Sequence, residues 1–289
     1  MGAVETTLIG SAHSGRRGDF RTQLFTLRRS AASRESWEVS FVQADGPTPD
    51  MRFMGLANHN DTLFAVAGSA EATFLATFDS GLRQTGWHPL LNAADPHGLV
   101  VDDERLWVVS SRTNSVMQYE LSSIGPRTAK LSYRHPEIAS QHFNGLTRHN
   151  GKLVLSAFGA SAEEVRTTSA TGYLIDIETD AIIVAGLDQP HSPYTHGGSL
   201  WFCESHPSEI WKDAVRVARL EGYLRGLCCS SDDHLHVVEN APRPPRNTTW
   251  GARTCPTIWT LNIGGSFLDK HKLEGIEPEV YDLLAMAPA

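Results

Sequence analysis

The residues best suited to chemistry in this 289-residue chain occupy one position of a repeated sequence unit. The unit has one special residue, then Gly-Leu or Ser-Pro, a few strand residues, an Asn/Asp/Gly turn and a second, apolar strand. The special residues are Met54, His97, Asn144, His191 and Arg225, and the C-terminal run adds Glu279. Two imidazoles, an amide oxygen and a carboxylate are suitable ligands for a divalent cation. The pattern therefore predicts a metal site formed by His97, Asn144, His191 and Glu279, with water in the open positions.

The same residues allow a second interpretation. A polar ring at a solvated channel can satisfy its hydrogen bonds through its own members and water, without a metal. Arg225 carries a permanent positive charge, which is unfavourable beside a cation unless a carboxylate or an anionic ligand lies between them. We therefore expect Arg225 to bind an acidic substrate, with His142 as a further candidate at this position.

Proton transfer is predicted for residues that directly follow apolar strands. Glu204 in CES and Glu239 in VEN are expected to point over the central axis around which the repeated units are arranged. Either is a candidate general base there, with His191 or His206 as its partner. Arg112 and Arg243 lie in polar loops expected on the same face, and are candidates for substrate binding. The alternative for any of these loop residues is that they only solvate the surface.

These residues meet only if the repeated units surround one axis. Each unit has the pattern of a β-hairpin, and the units recur at intervals of about 34 to 47 residues, which is typical of propeller blades. The first blade lacks an innermost strand, which the apolar run from Val280 to Leu284 supplies. The sequence therefore predicts an all-β fold, a six-bladed β-propeller closed by its N- and C-terminal strands, as a single domain over residues 1–289.

Composition excludes several classes of function. A formal charge of −8 and a pI near 5.9 argue against a nucleic-acid partner. We find no secretory signal and no apolar stretch long enough to cross a bilayer, so we expect a cytoplasmic protein with no membrane partner. The four cysteines lack paired CxxC spacing. Without a Gly-rich phosphate loop, a GxSxG elbow or an HExxH motif, no nucleotide cofactor is predicted.

Several motifs resemble those of an uncharacterised bacterial β-propeller family of conserved hypothetical proteins. They are MGLA at Met54, HFNGL at His142, GLDQPHSPY and SLWFCES between Gly186 and Ser205, YLRGL at Tyr223 and EVYD at Glu279. A looser similarity connects PHGL and the LWV-type strand pairs to gluconolactonase/regucalcin-like and streptogramin-lyase-like propellers. That similarity implies a metal at the channel mouth and carries over only Asn144 as a ligand. His97 and His191 stand where the lactonase pattern has Asn and Asp, so lactone hydrolysis is not implied.

Together these features predict a metal-dependent hydrolase, lyase or isomerase that acts on a small polar, anionic metabolite at the channel mouth. The alternative is a non-catalytic propeller that holds a glycan or a protein on the same face. The sequence does not determine the oligomeric state.

Overall fold

The chain folds into six antiparallel sheets of four strands each, arranged as a ring. The computed structural model describes residues 6–13, 22–30, 37–48, 50–102, 104–122, 128–134, 141–159, 170–241 and 255–286. Within these ranges there are 24 strands and one 3-10 helix, Ser111–Thr113, and no helix there is long and apolar enough to cross a membrane. The prediction of an all-β six-bladed propeller is confirmed.

Consecutive strands build the sheets in chain order. The N-terminal strands are β1 (Thr6–His13), β2 (Thr22–Arg29) and β3 (Glu38–Val42). The second sheet consists of β4 (Arg52–His59), β5 (Thr62–Gly68), β6 (Thr73–Phe78) and β7 (Gln84–Pro89). The third consists of β8 (Pro96–Asp102), β9 (Arg105–Ser110), β10 (Ser115–Glu120) and β11 (Thr128–Arg134).

The second half of the chain repeats this order. The fourth sheet consists of β12 (Phe143–His149), β13 (Lys152–Ala157), β14 (Gly172–Asp176) and β15 (Ala181–Leu187). The fifth consists of β16 (Pro190–His196), β17 (Ser199–Glu204), β18 (Glu209–Lys212) and β19 (Val215–Arg219). The sixth consists of β20 (Tyr223–Cys229), β21 (His234–Asn240), β22 (Thr257–Asn262) and β23 (Phe267–Lys272).

The two ends of the chain close the ring, as predicted. The last strand, β24 (Glu279–Ala285), pairs antiparallel with β1 and becomes the innermost strand of the first sheet. The innermost strands β4, β8, β12, β16, β20 and β24 each contact the innermost strands of both neighbouring sheets. Asn240 links the sixth sheet to β24, because its amide accepts from the Val280 N–H at 2.9 Å and donates to the Val280 carbonyl at 3.0 Å.

Apolar packing between neighbouring sheets explains the continuous apolar second strands. In β5, Leu63, Ala65 and Ala67 belong to one buried cluster, whereas Phe64 and Val66 belong to the next. The strand is thus covered on both faces, and each large side chain that is fully buried contributes about 1.5 to 3 kcal/mol to stability.

The pairing register slips once between the first and second strand of every sheet. The slips lie between Phe53 and Leu56, Pro96 and Leu99, Phe143 and Leu146, His191 and Tyr194, Arg225 and Leu227, and Val280 and Asp282. A bulge of this kind bends the strand and redirects a side chain. Neighbouring inner strands approach closely here: a Cβ on Gly145 would lie 2.1 Å from Cδ of Pro193.

Candidate functional site

One residue of each innermost strand lies at the register slip: Met54, His97 and Asn144 are unpaired there, whereas His191 and Arg225 are the last paired residues before it. Five of the six are the residues that the repeat alignment selected: Met54, His97, Asn144, His191 and Arg225. In β24 the sixth is Tyr281 rather than Glu279, because Val280 and Asp282 pair with consecutive residues of β1. Glu279 lies two residues earlier in the strand, opposite His13.

Three of these side chains are held by the same local contact. Each bonds to the backbone carbonyl two residues before it: His97 Nδ1 to Asp95 at 3.1 Å, Asn144 Nδ2 to His142 at 2.8 Å, and His191 Nδ1 to Gln189 at 3.0 Å. The three accepting residues have left-handed backbone, with φ of 52°, 47° and 56°. Because a carbonyl can only accept, Nδ1 of both histidines carries the proton, and Nε2 carries the lone pair in the neutral ring.

Seven side chains contact one another in a closed circle around the axis, which we call the axial ring. The successive centroid distances are Tyr281–His97 5.5 Å, His97–His142 5.5 Å, His142–Phe158 4.5 Å, Phe158–His191 5.0 Å and His191–Tyr223 5.6 Å. Arg225 completes the circle, with its guanidinium carbon 5.5 Å from the Tyr223 centroid and 4.0 Å from that of Tyr281. The ring is therefore a packed, largely aromatic collar with one permanent cation.

Arg225 is the residue of this ring whose polar groups are least satisfied. It has no exposed surface, and within the described ranges none of its three guanidinium nitrogens has a hydrogen-bond partner. The nearest carboxylate oxygen is Oε1 of Glu279, 3.9 Å from Nη1, which is too long for a hydrogen bond. A buried guanidinium without hydrogen bonds lowers the stability of the folded protein unless a further acceptor binds to it.

Glu279 lies between Arg225 and His13, at the same distance of 3.9 Å from each. Its other oxygen, Oε2, lies 3.9 Å from Nε2 of His13, and the His13 ring packs against Tyr281 in a tilted arrangement, with the ring centroids 4.8 Å apart. Asn144 is also incompletely satisfied, because its buried Oδ1 has no partner among the described residues. As far as the described residues show, the site thus contains a buried donor group and a buried acceptor that lack hydrogen-bond partners.

A central cavity of about 310 Å³ begins at the axial ring and runs along the channel. His97, Asn144, His191 and Tyr281 line it at the ring, and Asn58, Arg148 and Thr195 line its far end. A space of this size holds a small metabolite. Arg225 is not among the lining residues, and the cavity adjoins its guanidinium through Tyr281, which lines the cavity and contacts Arg225. The candidate site therefore includes the interior of the channel as well as its predicted mouth.

Asp282 lines the same cavity and was missed by the sequence analysis. Its Oδ2 accepts from the Leu56 N–H at 2.8 Å, and its Oδ1 accepts from the N–H of Leu283 at 2.9 Å. Burial deep in the channel wall raises the pKa of this carboxyl to about 7, although the two backbone donors act in the opposite direction. A carboxyl with a pKa near neutrality is suited to exchange protons with a ligand.

Two predicted catalytic residues, Glu204 and His206, lie away from the ring in their described contacts. Glu204 accepts from the Asp188 N–H at 2.7 Å, and burial raises the pKa of its carboxyl. His206 is partly exposed and lies 3.2 Å from Oδ2 of the same Asp188. The catalytic roles predicted for Glu204 and His206 stay predictions, and both residues contact Asp188.

The other loop candidates are similarly placed. Glu239 accepts a hydrogen bond from the indole N–H of Trp259, in the next strand outward. Arg112 is exposed in the 3-10 helix, and its Nη1 lies 3.5 Å from the carbonyl of Ala70. Arg243 lies outside the described residues. Of the predicted site residues, the structure brings together His97, His142, Asn144, His191, Arg225 and Glu279.

Comparison with protein families and solved structures places this geometry in context. The family model described as a domain of unknown function (DUF4915) matches residues 85–251, more than half of the chain. No curated protein matches the sequence.

Three solved propellers illustrate the range of similar structures. A chain of the nidogen/laminin complex has a TM-score of 0.64 at 8% identity, with 97% of this chain and 98% of that chain covered. Regucalcin from Agrobacterium tumefaciens, described as a calcium-binding protein, has a TM-score of 0.57 at 12% identity, with coverage of 78% and 75%. Streptogramin B lyase has a TM-score of 0.54 at 13% identity, with coverage of 94% and 86%. These identities establish the fold alone, and they confirm the predicted similarity to regucalcin-like and streptogramin-lyase-like propellers.

Proposed function

The chain belongs to the family described as a domain of unknown function (DUF4915), and we propose that it is an enzyme acting on a small anionic metabolite in its central channel. The observation that carries the proposal is the buried guanidinium of Arg225, which has no hydrogen-bond partner among the described residues. Its planar fork of donors matches a carboxylate or phosphate group. A ligand anion bound there would satisfy donors for which the described part of the chain offers no hydrogen-bond acceptor.

The rest of the site supports chemistry on that ligand. His97 and His191 line the cavity with Nδ1 tied to a backbone carbonyl, which leaves Nε2 as the nitrogen that accepts a proton. Asp282 adds a carboxyl whose pKa burial raises to about 7. Hydrolysis, elimination and isomerisation all need such proton transfers near a bound carbonyl or carboxylate. Enzymatic propellers with a similar fold are consistent with this class of function.

The proposed chemistry rests on the side chains of the chain rather than on a metal. Calcium, which regucalcin is described as binding, prefers about six to eight oxygen ligands, whereas two of the four candidate donors here are imidazole nitrogens. Within the described ranges the donor atoms of His97, His191 and Glu279 do not all lie within 4.8 Å of one another. A metal held by these three and Asn144 stays a prediction, as does the cytoplasmic location.

A thermal-shift screen tests the anion site. Small carboxylates, phosphates and sulfate are added to the wild type and to Arg225→Met/Glu279→Gln, in which both partners of the long ion pair are neutral. At least one anion should raise the Tm of the wild type and leave that of the double variant unchanged. Equal shifts in both proteins, or no shift in either, would refute the proposal.

Turnover of the anion that binds then separates an enzyme from a non-catalytic binding propeller. The wild type should convert the ligand, as followed by NMR, and Asp282→Asn should bind it and convert it at least about 100-fold more slowly. Binding without conversion favours the non-catalytic alternative. Metal analysis of untagged wild type and His191→Ala tests the channel metal separately, through the loss of one metal equivalent.

A further inference from the structure

A group of three different metal-binding side chains lies at the far end of the inner strands, away from the axial ring. His196 is the last residue of β16, Cys229 is the last residue of β20, and Asp233 lies in the turn that joins β20 to β21. Their donor atoms all lie within 4.8 Å of one another, which no other trio of His, Cys, Asp or Glu achieves within the described ranges.

We propose that His196, Cys229 and Asp233 form a binding site for a divalent transition metal of the zinc class, with one coordination position open to solvent. An imidazole nitrogen, a thiolate and a carboxylate oxygen are the ligand types that zinc takes, and three protein ligands with an open position are typical of reactive zinc sites. Tetrahedral bonds of about 2.0 to 2.3 Å put donor atoms roughly 3.5 Å apart. Nε2 of His196 and Oδ1 of Asp233 already lie 2.8 Å apart.

Two adjacent hairpins hold the three ligands in place. Asp233 has left-handed backbone with φ of 59°, and its N–H donates to the Ser230 carbonyl at 3.1 Å. The Ser230 N–H in turn donates to the carbonyl of His234 at 2.9 Å, which closes the turn. His196 and Cys229 end strands that pack side by side along the channel. The site therefore joins two sheets and needs only side-chain adjustment to close on a metal.

Exposure and charge at the site favour a cation with access to solvent. Cys229 is 5% exposed, whereas the side chains of His196 and Asp233 are 28% and 65% exposed, so a bound metal would face solvent on the side of the last two. The carboxylates of Asp233 and Asp232 lie near the Cys229 thiol, and their negative charge attracts a cation. Metal binding would replace the S–H bond by a sulfur–metal bond and release the proton to solvent.

The thiolate determines which metals the site prefers. Soft sulfur ligands select zinc and related ions, while magnesium and calcium prefer oxygen ligands. A neighbouring pair, His234 and Asp232, has the same 2.8 Å spacing between nitrogen and oxygen but belongs to no such trio with a thiol among the described residues. It provides a matched internal control.

Cobalt(II) titration tests this site independently of the axial ring, because only a cysteine ligand gives the near-ultraviolet thiolate-to-cobalt charge-transfer absorption. The measurements use a Cys255→Ser background, which removes the exposed thiol. One equivalent of Co²⁺ should produce the band, Zn²⁺ should abolish it by displacement, and Mg²⁺ or Ca²⁺ should leave it unchanged. His234→Ala should retain the affinity within about twofold, and His196→Ala should weaken it at least about tenfold.

Cys229→Ser should remove the band while the far-ultraviolet circular dichroism stays that of the wild type. If this variant fails to fold, the exposed His196→Ala and Asp233→Ala variants carry the test through their loss of affinity. A band that survives in folded Cys229→Ser, or no thiolate band at one equivalent of Co²⁺, would overturn the proposal. So would an equal loss of affinity in His196→Ala and His234→Ala.

Discussion

Arg225 has an arrangement that is unfavourable for stability and favourable for binding. A buried ion pair stabilises a protein only when close hydrogen bonds offset the loss of hydration, and the distance of 3.9 Å between Arg225 and Glu279 does not allow them. Tyr281 and Tyr223 cover the guanidinium through cation–π contacts, which recover only part of that cost. This arrangement is the main support for the proposed anionic ligand.

The Arg225→Met/Glu279→Gln double variant should therefore be at least as stable as the wild type. Replacing a poorly bonded buried ion pair by neutral side chains of similar size is expected to change the free energy of unfolding by about 0 to +2 kcal/mol. Urea denaturation measures this value. A loss of more than about 2 kcal/mol would mean that Arg225 serves the fold, and Arg225→Met alone shows how much of any loss comes from removing the guanidinium while Glu279 keeps its charge.

His236 shows how a buried histidine far from the ring affects stability. It is 1% exposed and hydrogen bonds to Ser230 at 2.9 Å and to Thr260 at 3.2 Å. Burial lowers its pKa to about 3, despite the opposing effect of Asp232. Because the folded pKa lies below the usual value of about 6.5, this contribution to stability is complete above pH 6.5 and is lost as the pH falls toward 3.

His236→Gln should accordingly make the free energy of unfolding depend less steeply on pH below about 6.5. Between pH 6.5 and 5 the wild type is expected to lose about 2 kcal/mol that the variant does not lose. Urea denaturation at a series of pH values measures the difference, with His59→Gln at an exposed hairpin as the control. Parallel profiles for wild type and His236→Gln would contradict the assignment.

At the scale of the strand, the bulges convert a repeat in sequence into a ring of side chains. Without the register slip, every second residue of an inner strand would face a neighbouring sheet. The slip turns one residue of each strand toward the axis, and the small residue that usually follows lets adjacent inner strands approach. Gly145 is the clearest case, because its added Cβ would lie 2.1 Å from Pro193.

Gly145→Ala should destabilise the protein by about 2 kcal/mol or more, because the Pro193 ring is fixed to the backbone and must move away. Gly46→Ala is the control, since its added Cβ would be no closer than 3.4 Å to any neighbouring atom; a change within about 0.5 kcal/mol is expected there. Chemical denaturation distinguishes the two. Similar values for both variants would mean that the strand contact at the bulge is loose.

The strands also explain which site residues the sequence could reveal. His97, Asn144, His191 and Arg225 precede Gly-Leu or Ser-Pro, so the repeat alone aligned them. Tyr281 was missed because Asp282 stands in β24 where most other inner strands have the glycine that follows the ring residue. The repeat alignment therefore selected Glu279, two residues before Tyr281. Phe158 and Tyr223 complete the ring, but aromatic residues in strand-rich sequence are indistinguishable from core residues.

The predicted direction of the Glu204 and Glu239 side chains stays a prediction. Their position after apolar strands correctly indicated the end of a second strand. The direction of the carboxylate depends on the plane of the blade, which places side chains of the second strand between neighbouring sheets. The innermost strands, by contrast, line the channel, and the distinction between first and second strands is not visible in composition or spacing.

At the scale of the whole molecule, the join between the two ends of the chain determines whether the ring exists. Strand β24 contributes Glu279, Tyr281 and Asp282 to the site, so closure and function depend on the same strand. Asn240 holds it through two hydrogen bonds to the backbone of Val280. The circular arrangement was predictable from the repeat, and its closure from the apolar run at the C-terminus.

Asn240→Ala should cost about 2 to 4 kcal/mol, because it leaves a buried backbone donor and acceptor unpaired. Asn262→Ala is the matched control, since Asn262 makes two bonds to backbone N–H groups in an exposed turn and should cost less than about 1 kcal/mol. Thermal denaturation followed with light scattering measures both the stability and any association through an opened sheet edge. Equal costs would show that the join does not depend on this side chain.

The central claim, that distant residues gather into an anion site around one axis, is tested most directly by a crystal structure determined after soaking in selenate. Selenate carries an anomalous scatterer, so its position is independent of the phases calculated from the protein. The expected result is an anomalous peak within hydrogen-bonding distance of the Arg225 guanidinium, beside Tyr281 and in contact with the axial ring. A guanidinium bound directly and in bidentate fashion by Glu279, with no anion near it, would contradict the account.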